Sequence, residues 1–71
     1  MKLNDLKLND EKTIKCLKAS DNIKRRLMDI GFTKGVKVKP VIVKKNIRAY
    51  MIKNTVISVR CVDTLDIEVE V

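Results

Sequence analysis

Few residues in this chain have side chains suited to catalysis or metal binding. Two cysteines, Cys16 and Cys61, stand far apart in a sequence of 71 residues that has no histidine. A zinc module needs closely spaced thiolates with further ligands, and a disulfide framework needs more cysteines, so the pair supports neither. The missing histidine also removes the commonest general base near neutral pH and the commonest transition-metal ligand. The densest run of carboxylates is at the end, as Asp63, Asp66, Glu68 and Glu70. Glu68 and Glu70 share one face of a strand, but their spacing makes no recognisable cation-binding loop. Gly31 and Gly35 do not form a phosphate loop, because no lysine followed by serine or threonine comes after them. The expectation is a non-enzymatic domain with no catalytic residue, no metal site and no cofactor.

The charge is unevenly placed. Sixteen basic residues against nine acidic ones leave +7. Between Asp29 and Asp63 there is no acidic residue, while Lys34, Lys37, Lys39, Lys44, Lys45, Arg48, Lys53 and Arg60 all fall there. Opposite charges on facing strands are mildly stabilising, so the acidic end is expected to pair with this basic middle across a sheet. A basic barrel that binds nucleic acid is the alternative such a segment raises. Against it, the only aromatic residues are Phe32 and Tyr50, whereas single-strand binders stack bases on several aromatic faces. Tyr50 alternates with Ile52 and is expected to be half buried. Lysines make up twelve of the sixteen basic residues, which suits a solubilising surface better than shaped phosphate recognition. No specific nucleic-acid partner is expected. The opening residues 1–12 hold no apolar stretch, and no run nears the roughly 20 apolar residues of a membrane span. A cytoplasmic domain without membrane insertion follows as the expectation.

A chain of this length makes one domain, residues 1–71, and buries only about 60% of the surface its unfolded form exposes. Leu3–Asp10 reads as an irregular or single-turn lead-in. Residues 11–18 form a short strand with Ile14 and Cys16 on one face, although Leu17 breaks the alternation. Cys61 falls on a later strand, and both cysteines are expected to point inward as small apolar fillers. Ser20, Asp21 and Asn22 are capping residues, and Ile23, Leu27 and Ile30 then form one stripe of a helix. Gly31 closes that helix in a left-handed conformation. Lys24, Arg25 and Met28 face away from the stripe and form the candidate partner surface, since an exposed thioether adapts readily to a contact. Arg26 lies at the stripe's edge. Its stem is expected along apolar surface with its head in water; the sharper reading has its guanidinium fixed against backbone carbonyls or the acidic last strand.

Gly35 supplies the next turn. Val36 and Val38 then begin a strand with period two, and Pro40 marks an edge or bulge. Lys44–Asn46 is a turn, 47–53 a strand, and Asn54 suits a tight turn because asparagine tolerates positive φ. Residues 56–61 follow with Ile57 and Val59 inward, and 66–71 alternate without a fault. About five short strands cannot cover an open sheet on both faces. The economical arrangement is mainly β: a small, partly open barrel with one short helix, between the first and second strands, closing an end.

The run from Arg25-Arg26-Leu27-Met28-Asp29-Ile30-Gly31 through Phe32-Thr33-Lys34-Gly35-Val36-Lys37-Val38 resembles the signature that follows the first strand in the FeoA family. Leu3–Glu11 resembles that family's opening, and Val56–Arg60 with Leu65–Val69 its close, so nearly the whole chain is covered in order. Asn9, Lys34 and Asn54 depart from the family's usual glycine, proline and glycine, and the loop at Lys44–Asn46 is shorter than its counterpart. The resemblance implies an SH3-like barrel, a cytoplasmic location and a non-enzymatic role in ferrous iron transport. The partner it implies is the cytoplasmic part of a FeoB-type transporter, whose assembly or nucleotide cycle the domain would modulate, with weak homo-oligomers as a second association. It also leaves room for a detached regulatory module related to the barrel of metal-dependent repressors.

Overall fold

The computed structural model describes residues 1–71. Five strands form one antiparallel sheet: β1 (Lys12–Leu17), β2 (Lys37–Val43), β3 (Ile47–Ile52), β4 (Thr55–Arg60) and β5 (Ile67–Val69). Their spatial order is β4-β3-β2-β1-β5. One helix, α1 (Asp21–Asp29), joins β1 to β2, and single 3-10 turns occupy Leu3–Asp5 and Cys61–Asp63. β4 and β5 do not pair, so the barrel remains open between them. Strand number, helix placement and partial opening are those the sequence predicts.

The bend that makes a barrel of this sheet lies in β2. Its first residues pair with β1, as Thr13↔Lys37 and Lys12↔Val38. Its later residues pair with β3, from Lys39↔Met51 to Val43↔Arg48, with a register shift between Pro40 and Ile42. Proline has no N–H for a ladder, so inside a sheet it belongs at such a bulge. The Pro40 carbonyl accepts a hydrogen bond from the backbone N–H of Asn9 at 2.8 Å. Asn9 itself stands at φ +66°, a conformation asparagine tolerates.

Twelve apolar side chains fill the interior, among them Leu3, Ile14, Phe32, Val38, Tyr50 and Ile67. Phe32 meets Tyr50 edge to face, with ring centroids 5.8 Å apart and planes at 89°, the geometry that ring quadrupoles favour. Tyr50 is fully buried rather than half buried, because β3 is an inner strand paired on both flanks.

Two expectations about strand faces need correction. A register shift between Ile14 and Cys16 changes the parity of β1, so Leu17 is buried with Ile14 while Cys16 is only partly covered. A bulge inserts one residue and flips every side chain beyond it. Cys61 is also only partly covered, because β4 ends at Arg60 and Cys61 opens the following 3-10 turn. The acidic end pairs with β1, as Ile14↔Val69 and Leu17↔Ile67, and not with the basic middle. Its ion pair runs from Lys18 Nζ to Glu68 Oε2 at 2.7 Å.

The N-terminal residues complete the sealed side of the molecule. The backbone N–H of Val69 donates to Met1 O at 2.7 Å, and Lys2 bridges antiparallel to Glu68. β5 therefore has neighbours on both of its edges. Asn4 Nδ2 donates to Cys61 O at 2.9 Å, and Thr64 Oγ1 donates to Asn4 Oδ1 at 2.7 Å. Leu3 and Leu6 enter the core from this segment.

Candidate functional site

The candidate surface depends on where α1 starts and stops. Ser20 takes the extended N-cap conformation, φ −60° and ψ 157°, without a side-chain capping bond. At the other end Gly31 N–H donates to Met28 O at 3.1 Å and Phe32 N–H to Leu27 O at 2.9 Å. These are the paired bonds of a Schellman cap, and Gly31 holds the left-handed position at φ +119°. A Cβ there would stand in van der Waals contact with Ile57 Cδ1, at 3.4 Å, so it is the backbone conformation that asks for glycine. The cap ends the helix and sends Phe32 into the core. Gly35, at φ +87°, and Asn54, at φ +66°, also occupy the turn conformations expected of them. Asn54 works with Lys53 at φ +49° as a two-residue hairpin loop with both central φ values positive, the form that matches strand twist.

Lys24, Arg25 and Met28 emerge together on the outward face of α1, all exposed, with Met28 at 44%. The opposite stripe behaves differently from its prediction. Leu27 is buried, but Ile23 and Ile30 remain 41% and 44% exposed. The reason is a groove of about 330 Å³ between α1 and β4, whose walls include Ile23, Ile30 and Val59. The helix stands beside the sheet instead of lying closed upon it. Sequence periodicity identifies the apolar stripe but not that two of its three residues stay open.

Arg26 is exposed at the rim of this groove, in keeping with a stem on apolar surface and a head in water. Arg60, also at the rim, is held by Asp63 through Nε at 2.8 Å and Nη2 at 3.2 Å. The guanidinium that fixes backbone carbonyls is Arg48, not Arg26. It is buried in β3, donates from Nη1 to Leu3 O at 3.1 Å and from Nη2 to Leu6 O, and lies 5.6 Å from the Tyr50 ring centroid. Its signal in the sequence was parity, since Arg48 shares the inward face of β3 with Tyr50 and Ile52. Burial pushes the Tyr50 phenol up to about 12, although the nearby Arg48 charge acts in the opposite direction.

The remaining polar contacts outside the groove are few. Cys16 Sγ donates to Glu68 Oε2 at 3.5 Å, and Cys61 is a free thiol. The hydrogen bond between Lys18 and Glu68 raises the lysine and lowers the carboxyl from their ordinary values. No group of three or more histidine, cysteine, aspartate or glutamate side chains is placed to hold a metal ion. No helix is long and apolar enough to cross a membrane.

Comparison with known proteins gives a consistent answer. Among solved structures, the FeoA protein from Chlorobium tepidum matches at TM-score 0.84 and 25% identity, covering 100% of this chain and 70% of that one. Iron(II) transport protein A from Clostridium thermocellum matches at TM-score 0.90 and 31% identity, covering 100% of this chain and 45% of that one. FeoA from Stenotrophomonas maltophilia, solved in complex with zinc and described as a prokaryotic SH3 domain protein, matches at TM-score 0.83 and 26% identity, covering 99% and 89%. The SH3-like description fits the open five-stranded barrel seen here. No curated protein matches the chain. The FeoA domain model spans residues 1–71, and with that match from first residue to last the chain belongs to the FeoA family.

Proposed function

We propose that this chain is a non-enzymatic, cytoplasmic accessory of ferrous iron uptake. It docks on the cytoplasmic part of a FeoB-type transporter and modulates that protein's assembly or nucleotide cycle. The observation that carries the reading is the family match over the full length, joined to a helix that offers most of its surface to solvent. The Stenotrophomonas maltophilia relative is proposed as a ferrous iron transport activating factor, which supports the same role here. In this reading iron is the transporter's cargo, and the domain acts by contact alone. Lys24, Arg25 and Met28 form the docking face, with Met28 at its centre.

The case against the nucleic-acid alternative grows, because Phe32 and Tyr50 are both fully buried and no aromatic face is left for stacking. Residual binding to RNA or DNA through the lysines should fall steeply as salt rises and vanish near physiological ionic strength. Docking on the transporter rests on desolvated contacts, so it should persist there. Calorimetric titration of the chain into the transporter's cytoplasmic part at physiological salt tests this. Met28→Asp should weaken the interaction while leaving thermal unfolding unchanged. Salt-resistant, sequence-selective nucleic-acid binding together with no transporter binding would overturn the reading.

A further inference from the structure

β4 differs from the other strands in having one edge that nothing covers. Its hairpin with β3 turns on the two-residue loop Lys53–Asn54 and keeps one register throughout, from Ile52↔Thr55 to Ile47↔Arg60. In an antiparallel ladder, directly opposed residues alternate between pairs that exchange hydrogen bonds and pairs that do not. The tight loop makes Ile52↔Thr55 the first bonded pair, so Tyr50↔Ile57 and Arg48↔Val59 are bonded as well. The N–H and C=O groups of Val56, Ser58 and Arg60 therefore point away from β3. No turn, loop or side-chain hydrogen bond in the molecule ends on them.

Proteins commonly blunt such edges with proline, bulges, inward charges or very short strands. β4 has six residues, no proline and no register shift, and its single charge is Arg60 at the end. The groove beside this edge has Leu27 and Val59 in its lining, Ile23 and Ile30 as partly exposed walls, and room for an aliphatic side chain. Its charged lining residues are Arg26, Arg60 and Asp63. Asp63 is taken up by Arg60, so Arg26, which forms no ion pair, leaves the rim with one free positive charge.

The geometry points to a docking site for an extended segment of a partner protein, which pairs with β4 as an added strand. The segment places an aliphatic side chain in the groove and a neighbouring carboxylate against Arg26. Main-chain pairing at a free edge supplies affinity and the pocket beside it supplies selection, as in other cases of strand addition. Rim charge selects an acidic segment over a basic one. It also disfavours a second copy of this chain, whose +7 charge and unpaired Arg26 would meet their like. The inference rests on the docking reading above and gives it a mode and a partner chemistry.

The test is amide chemical-shift mapping by NMR on the folded 71-residue chain. The probe is an acetylated, amidated heptapeptide alternating glutamate with valine or leucine, and its control carries lysine in place of glutamate. The acidic peptide should shift the amides of Val56, Ser58 and Arg60 and the methyls of Ile23 and Ile30, and protect the Ser58 amide from exchange. The lysine peptide should bind at least about tenfold more weakly. Ser58→Pro removes a donor that faces the partner and not β3, so it should keep the dispersed spectrum and weaken binding at least about tenfold. Arg26→Glu, at an exposed position, should do the same and serves if the proline variant fails to fold.

Both variants are then titrated with the transporter's cytoplasmic part. Loss of that binding in both supports the site. Unchanged binding in both overturns it and leaves the accessory role standing. Peptide binding without transporter binding supports the site and removes the transporter as partner. Concentration-dependent shifts along β4 without any peptide would make a second copy the occupant and overturn the proposed partner.

Discussion

The two outer strands of this sheet are treated in opposite ways. β5 is three residues long, and Met1 and Lys2 pair along its outer side. Beneath that strap a buried guanidinium and a buried phenol converge on Leu3 O, with the guanidinium reaching Leu6 O as well. β4 is twice as long, has no cover and borders an apolar groove. A domain this small buries little surface, so leaving Ile23 and Ile30 partly exposed forgoes stability it could have gained. The comparison teaches that stability is concentrated on the β5 side and unsatisfied surface on the α1–β4 side. A partner has something to complete only on the latter.

The strongest way to break this contrast is to unseal the β5 side. Arg48→Ala strips the guanidinium from both carbonyls; Leu3 O keeps the Leu6 N–H and the Tyr50 phenol, but Leu6 O loses its donor. A buried polar group stripped of its partner costs roughly 1–3 kcal/mol, and the emptied space beneath the strap adds to that. A loss on the order of 3 kcal/mol is expected in denaturant unfolding. Hydrogen exchange should show the Val69 amide opening well before those of β3. Uniform opening would mean that the strap is not a separate seal.

Tyr50 tests the same side by pH. Its phenol rises from about 10 in the unfolded chain to about 12 in the fold. A raised folded value favours the protonated form, so the contribution is fully present below pH 10. It is lost as pH climbs through about 12, by roughly 2–3 kcal/mol in all. Tyr50→Phe cannot ionise, so its stability curve should lack that step between pH 10 and 12. Equal alkaline loss in both proteins would mean that lysine deprotonation dominates.

Gly31→Val strikes the hinge between the two regions, since this residue ends α1 and launches Phe32 into the core. A β-branched residue at φ +119°, close to Ile57, should destabilise by about 1 kcal/mol or more. An unchanged melting temperature would refute the cap. The smallest effect belongs to Lys18→Ala. Its pair with Glu68 is solvent-exposed, and such pairs contribute little. Glu68 lies below its ordinary value, so the slight stabilisation is present at neutral pH and fades as acid protonates the carboxylate. Melting at neutral pH should barely move.

How much of this is legible in the sequence follows from what each feature depends on. Strand alternation, the Gly31 cap, the Asn54 turn and the Pro40 bulge are local, and all could be read from neighbouring residues. Alternation misplaces Cys16 because a bulge resets parity without any signal from glycine or proline. It misplaces Cys61 because the strand ends one residue earlier, at Arg60. The role of Arg48 required knowing that Leu3 and Leu6 return across the barrel, a contact spanning more than forty residues of sequence. The groove was invisible for a similar reason: a stripe predicts which face of a helix is apolar, not whether the sheet comes up to meet it. Lys24, Arg25 and Met28 do share one exposed face, as periodicity alone requires.

The central claim is that the partner engages the α1–β4 side. Its most direct test is chemical-shift mapping of the isotope-labelled chain against the cytoplasmic part of a FeoB-type transporter at physiological salt. The account predicts perturbations concentrated at Lys24, Arg25 and Met28 on the helix and at Val56, Ser58 and Arg60 on β4, with Val69 and the strap unmoved. Perturbations confined to the strap, β1 and β5, with α1 and β4 silent, would contradict it.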